Sequence, residues 1–142
     1  MSATSLAQLG FTSFEASQLA PYPSTSHPGR VTRVAGDVCH LLTPDGLRHA
    51  LVPGRLRRDT IVVGDWVLIA PDGVIDAVLE RRTRLQRAAA GRRAQAQIIA
   101  ANVDRVFIVM GLDRDYNLRR LERYLALCAD AGVETVVFLT KA

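Results

Sequence analysis

The chain is 142 residues long, enough for one ordinary domain or two small ones. Its hydrophobic share of 49% supports a real core, and no apolar run approaches the roughly 18 residues that a membrane helix needs. The net charge of +4 is unevenly spread. Gly29 to Arg93 holds twelve Arg against seven acidic residues, while Ala94 to Ala142 is balanced at six against six. Positive charge gathered in one half is what a polyanion partner requires. Met1 to Gly10 lacks the basic start and apolar stretch of a secretory signal, so cytoplasm is the default and no membrane partner is expected.

In chain order, Leu6, Leu9, Phe11 and Phe14 predict a short, poorly capped helix or turn. Pro21 to Pro28 holds three prolines and reads as a linker, since proline withholds the N–H that helix and sheet require. Short strands then follow at close spacing: Arg30–Val34, Val38–Leu42, Leu47–Val52, Trp66–Ala70 and Val74–Leu79. Gly36-Asp37, Thr43-Pro44-Asp45-Gly46, Pro53-Gly54 and Pro71-Asp72-Gly73 mark turns between them. Five strands in about fifty residues predict a small closed barrel, for which the OB-fold is a common solution.

Glu80 to Arg93 carries basic residues around three alanines without an apolar period and reads as a mobile connector. Val106 to Met110, ending in Gly111, is a continuous apolar run of the kind buried on both faces in parallel sheets. Asn117 can cap a helix with Leu118, Leu121, Leu125 and Cys128 on one side, and Gly132 stops it. Val136 to Leu139 is the next buried strand. Strand, helix and strand predict a right-handed βαβ unit, whose ligands sit beyond the strands' carboxyl ends at Gly111-Leu112-Asp113 and Thr140-Lys141-Ala142.

A phosphate-binding G-x-x-x-x-G-K-[ST] loop is missing, because the sole lysine, Lys141, lies between Thr140 and Ala142. Without that cradle the chain has no phosphoryl-transfer machinery of its own. Leu139-Thr140-Lys141 at a strand end nevertheless matches the start of a guanine-specificity box, [NT]-K-x-D. In that box the lysine stem packs along the base. Cys39 and Cys128 belong to no C-x-x-C pair and read as buried thiols, so neither a disulfide nor a metal site is expected here. His27, His40 and His49 lack ligand spacing and read as incidental, Trp66 reads as core, and Asp65 as a turn residue.

A guanine box with no P-loop before it implies a circularly permuted GTPase. Along nearly its whole length the sequence resembles the ribosome small subunit-dependent GTPase A family. The resemblance rests on Pro28-Gly29-Arg30-Val31, Gly54-Arg55-Leu56-Arg57-Arg58, Val63-Gly64-Asp65-Trp66-Val67 and Glu80-Arg81-Arg82-Thr83. Ala100-Ala101-Asn102-Val103-Asp104, Asn117 to Tyr124 and Leu139-Thr140-Lys141 complete it, with Leu9-Gly10-Phe11 a weaker match.

The resemblance implies an all-β OB-fold barrel on ribosomal RNA, followed by the first βαβ unit of an incomplete α/β P-loop-type GTPase domain. It also implies GTP and Mg2+ in a longer parent, zinc in a final domain beyond Ala142, and a late role in small-subunit maturation. The expected organisation is an N-terminal segment and linker at 1–28, the barrel at 29–80, a basic connector at 81–97 and the start of the GTPase domain at 98–142. Thr140 and Lys141 are expected at guanine, with no catalytic or metal residue in this chain. RNA is expected at Arg30, Arg33, Arg55, Arg57, Arg58, Arg81, Arg82 and Arg84. Such a chain is either a piece of a longer protein or a shortened gene product, and its open sheet predicts self-association. Two other readings stay open: a stand-alone RNA-binding OB module without enzyme activity, and an interaction domain without a nucleic-acid role.

Overall fold

The structure is a computed structural model that describes residues 4–56, 61–88 and 96–141. The chain divides into two compact units, Met1–Arg82 and Thr83–Ala142.

In the first unit five strands form one sheet in the order β3-β2-β1-β4-β5: β1 His27–Ala35, β2 Val38–Thr43, β3 Gly46–Leu51, β4 Trp66–Ile69 and β5 Ile75–Val78. All four neighbouring pairs are antiparallel. The sheet curls on itself until Leu51 meets Val74 in a parallel bridge, with the Leu51 amide donating to the Gly73 carbonyl at 2.9 Å. A five-stranded sheet closed in this way is the barrel the strand spacing predicts. Its interior holds Val31, Cys39, Leu41, Ala50, Val67 and Ile75. Burial pushes the Cys39 thiol up, with the nearby Asp65 charge adding to the effect, which suits an inert core thiol.

β4 is buried on both faces, which explains its unbroken apolar run. Val67 points inward, while Trp66 and Leu68 face a second cluster with Leu9, Ala77 and Leu79. Leu6, Phe11, Leu19 and Tyr22 of the N-terminal segment pack against that cluster, and Phe11 meets the Trp66 ring edge-on at 4.9 Å. Each aliphatic side chain buried this way contributes about 1.5–3 kcal/mol. The N-terminal segment is therefore a layer of the barrel unit.

Two expectations change here. The short helix, α1 at Ser13–Ala16, is well capped: the Phe14 amide donates to Thr12 Oγ1 at 3.2 Å, and the Thr12 amide donates to the Glu15 carboxylate at 2.7 Å. The T-x-x-E pattern of a capping box was present in the sequence at Thr12 to Glu15. The proline-rich linker is also shorter than it reads, because His27 and Pro28 already pair with Ile69 and Leu68.

In the second unit, β6 Arg84–Ala88 pairs antiparallel with β7 Ala96–Ala101. Part of the expected mobile connector is thus a strand. Leu85 is its buried anchor, and a single apolar side chain leaves no period to detect. Gly91, Arg92 and Arg93 lie outside the described residues.

β8 Arg105–Gly111 and β9 Glu134–Thr140 are parallel neighbours, joined through α2 Leu118–Asp130. Asn117 caps α2, accepting from the Arg120 amide at 2.9 Å. At the far end Val133 donates to the Cys128 carbonyl and Gly132 to Ala129, the paired closure that stops a helix at glycine.

The two-sided burial that the apolar run alone predicts does not hold, and the sheet is open as the incomplete domain predicts. Phe107 and Val109 are 57% and 65% exposed, and Phe138 also lies open, 5.6 Å from the Phe107 ring. One helix covers one face, and among the described residues β8 pairs with no strand but β9. Leu118 and Leu125 of α2 are exposed, while Cys128 is buried.

Candidate nucleic-acid and guanine sites

The eight arginines expected on RNA fall into distinct environments. Arg81 turns inward, its Nε and Nη2 donating to the two carboxylate oxygens of Asp65 at 2.6 and 2.7 Å. Asp65, read from sequence as a turn residue, is 0% exposed and also accepts from the Val62 amide at 2.9 Å. Two parallel charge-assisted bonds are the strong form of such a contact.

Arg82 donates to Glu15 at 3.0 Å, and Glu15 is fully buried. Burial pushes the Glu15 carboxyl up, but hydrogen bonds from the Thr12 hydroxyl and amide and from Arg82 together outweigh it. The group therefore rests below the ordinary carboxylate range. Arg30 is half-buried on β1: its Nη1 donates to the Leu9 carbonyl and its guanidinium lies 5.8 Å from the centre of the Trp66 ring. Gly10 makes that approach possible, since a Cβ there would sit 2.6 Å from Nη1.

Arg55 Nη2 donates to the Asp76 carbonyl at 2.8 Å and lies 3.4 Å from the Asp76 carboxylate. Arg33 on β1 and Arg84 on β6 are exposed, and Arg57 and Arg58 lie outside the described residues. Four of the eight guanidiniums, those of Arg30, Arg55, Arg81 and Arg82, thus tie the first unit's own elements together. Sequence reasoning missed the acidic partners of Arg81 and Arg82 because a buried carboxylate carries no local pattern. The exception is Glu15, which the capping box gives away.

The motifs that carry the family resemblance meet at these ties. Val63-Gly64-Asp65-Trp66-Val67 and Glu80-Arg81-Arg82-Thr83 join through Asp65 and Arg81. In the second unit Thr83 Oγ1 donates to the Val103 carbonyl at 2.8 Å, and the Asn102 amide donates to the Thr83 carbonyl at 3.0 Å. Asn102 is buried at φ 53°, a left-handed conformation that asparagine tolerates better than most residues.

The carboxyl ends of β8 and β9 come together as expected of a ligand-bearing edge. Lys141 Nζ lies 2.7 Å from Asp113 Oδ2. The Leu112 amide donates to the Thr140 carbonyl at 2.8 Å, and Thr140 Oγ1 lies 3.5 Å from the Met110 carbonyl. The Lys141 ammonium holds the Asp113 carboxyl below its usual range, helped by the Asp115 amide. Gly111 leaves room for this pair, because a Cβ would fall 2.8 Å from Asp113 Oδ1. Lys141 itself sits at φ 57°, a conformation that costs a non-glycine residue about 1–3 kcal/mol and is found at binding sites.

The sequence model of the RsgA GTPase family matches residues 78–142. A small ribosomal subunit biogenesis GTPase RsgA from Opitutus terrae is 40% identical over 96% of this chain and 43% of its own length. The chain belongs to the RsgA GTPase family. The RsgA of Xanthomonas campestris pv. campestris is 56% identical over 56% of this chain and 22% of its own length. The crystal structure of YjeQ from Thermotoga maritima superposes with a TM-score of 0.60 at 26% identity, covering 82% of this chain and 41% of that one. The chain thus spans about two fifths of the length of the Opitutus relative. The fold is the OB barrel followed by an incomplete βαβ unit.

For the zinc and magnesium implied elsewhere in the family, the described residues supply no ligand set, since no three His, Cys, Asp or Glu side chains converge. Among the described residues no helix is long and apolar enough to cross a membrane.

Proposed function

We propose that this chain is the RNA-docking and base-recognition part of a GTPase that acts on the small ribosomal subunit late in its maturation. The observation that carries this reading is the 40% identity, over 96% of the chain, to a protein named for small-subunit biogenesis. The barrel supplies the contact with ribosomal RNA through its basic surface, with phosphates taken by exposed guanidiniums such as Arg33, and Arg84 on β6 of the second unit takes phosphate as well. Arg57 and Arg58 take phosphates as well. Arg30, Arg55, Arg81 and Arg82 contribute mainly by holding the barrel in shape.

Thr140 and Lys141 form one wall of the guanine site, with the lysine stem along the base. In the absence of a nucleotide, Asp113 holds the ammonium in place. GTP hydrolysis with Mg2+ belongs to a protein that also has a P-loop, and the 142 residues alone do not turn over GTP. The open face around Phe107, Val109 and Phe138 makes the chain self-associate when it stands by itself.

The test is sedimentation of the chain with purified small ribosomal subunits, alongside a GTPase assay. The chain is expected to pellet with the subunits at low salt, to release at high salt and to show no phosphate release from GTP. A chain that stays in the supernatant at low salt overturns the docking role. In a full-length protein carrying this sequence, Lys141→Ala is expected to weaken GTP binding. Unchanged affinity would remove Lys141 from the site.

A further inference from the structure

The outward face of the β1–β2–β3 sheet carries a row of side chains that a search for arginines passes over. Register sets Arg33 opposite His40 and His40 opposite His49, so the three lie side by side across three strands. The two imidazoles meet edge to face, with ring centres 4.5 Å apart and planes at 87°. The adjoining cross-strand pairs are Leu42 with Leu47 and Val38 with Leu51. Leu47 and Leu51 are 73% and 54% exposed. An aromatic pair between open aliphatic side chains, with a guanidinium at one end, offers flat apolar contact and one positive charge.

Beside the row lies a cavity of about 400 Å³, walled by His27, Arg48, His49 and Pro71 among others. Volumes of about 300–1,000 Å³ are usual for small-ligand sites. Arg48 stands at its rim in a loose, exposed contact with Asp45 at 3.9 Å.

We propose that the Arg33–His40–His49 row and the adjoining cavity form a platform for unpaired bases of single-stranded RNA. This rests on the RNA-docking reading above and gives it a location. His40 and His49 stack bases, one base enters the cavity beside His49, and Arg33 and Arg48 take phosphates at either end. Stacking on aromatic rings is tolerant of sequence, since every base has a π-face. OB barrels use the face of their second and third strands for oligonucleotides, and here that face is the one carrying the row. Duplex RNA cannot use it, because its bases already stack on one another.

The experiment is fluorescence anisotropy of the full chain with a short labelled single-stranded RNA and with a duplex of the same length, over a range of salt. The parent chain is expected to prefer the single strand. Replacing His40 and His49 together by Ala is expected to weaken binding about 5- to 150-fold per base unstacked, with the salt slope unchanged. Replacing both by Phe keeps the stacking surface and is expected to retain most of the affinity. Arg33→Ala is expected to flatten the slope by about 0.7. Trp66 emission reports that each variant is folded. If the alanine pair does not fold, the phenylalanine pair and Arg33→Ala decide.

Parent-like binding by a folded alanine pair, or loss of binding by a folded phenylalanine pair, overturns the platform while RNA docking stands. An unchanged salt slope for Arg33→Ala does the same. A parent chain that binds neither RNA removes the docking reading and the platform with it.

Discussion

Replacing Arg81 by Met separates a structural guanidinium from one that meets RNA. Methionine keeps much of the apolar stem and removes the two donors that hold Asp65 at 2.6 and 2.7 Å. Asp65 is 0% exposed and the Arg81 side chain 15%, so the carboxylate is left deep in the barrel with the Val62 amide. Breaking a buried ion pair from one side costs about 3–5 kcal/mol, because the remaining charge is uncompensated. Against the roughly 5–15 kcal/mol that stabilise a typical domain, that is a large share. At a urea dependence near about 2 kcal/mol/M, the unfolding midpoint falls by about 1.5–2.5 M.

Trp66 is the only tryptophan in the chain and lies in the core of the same unit, so its emission reports that unit's unfolding. Combining Arg81→Met with Asp65→Asn removes the stranded charge as well. It is expected to recover a substantial part of the loss, a coupling that two independent sites would not show. An Arg81→Met protein with an unchanged midpoint but an RNA salt slope flatter by about 0.7 would refute the reasoning and return Arg81 to the RNA surface.

The Glu15 tie has a pH signature. Its carboxyl is depressed in the folded chain, so its stabilising contribution is full above the ordinary carboxylate range of about 4.3 and is lost as pH falls below it. Urea midpoints taken between neutral and acid pH should fall less steeply on acidification for Glu15→Gln than for the parent, and parallel curves would discount the tie. Replacing Arg57 and Arg58 by Ala is expected to flatten the salt dependence of RNA binding by about 1.4, whereas Arg55→Ala changes it little because Asp76 holds that side chain. Equal slopes for the parent and the double variant would remove Arg57 and Arg58 from the RNA contact. In sedimentation velocity the chain is expected to associate with rising concentration, and Val109→Lys to suppress this by placing a charge on the open sheet face. A parent that stays monomeric throughout contradicts it.

The five barrel strands and the βαβ unit were legible in the sequence because each has a local cause. Turn residues bound the strands, an apolar run marks β8, and Asn117 and Gly132 bracket α2. Thr140 and Lys141 were placed at a strand end by residue type and position, and tertiary structure brought Asp113 to Lys141 across 28 residues of chain. Exposure was legible only from the incompleteness of the sheet, not from the run itself. Val106 to Met110 reads the same whether one face is covered or two, since the pattern cannot say how many layers pack against it.

The arginines illustrate the limit most clearly. Composition determined that positive charge concentrates between Gly29 and Arg93, but a guanidinium paired with a buried acid and one held in solvent are the same letter. Only the folded chain, by carrying Glu15 and Asp65 inside beside Arg82 and Arg81, decided which charges it keeps for itself. The same folding set Arg33, His40 and His49 in one row, because strand register joins residues that sequence separation keeps apart.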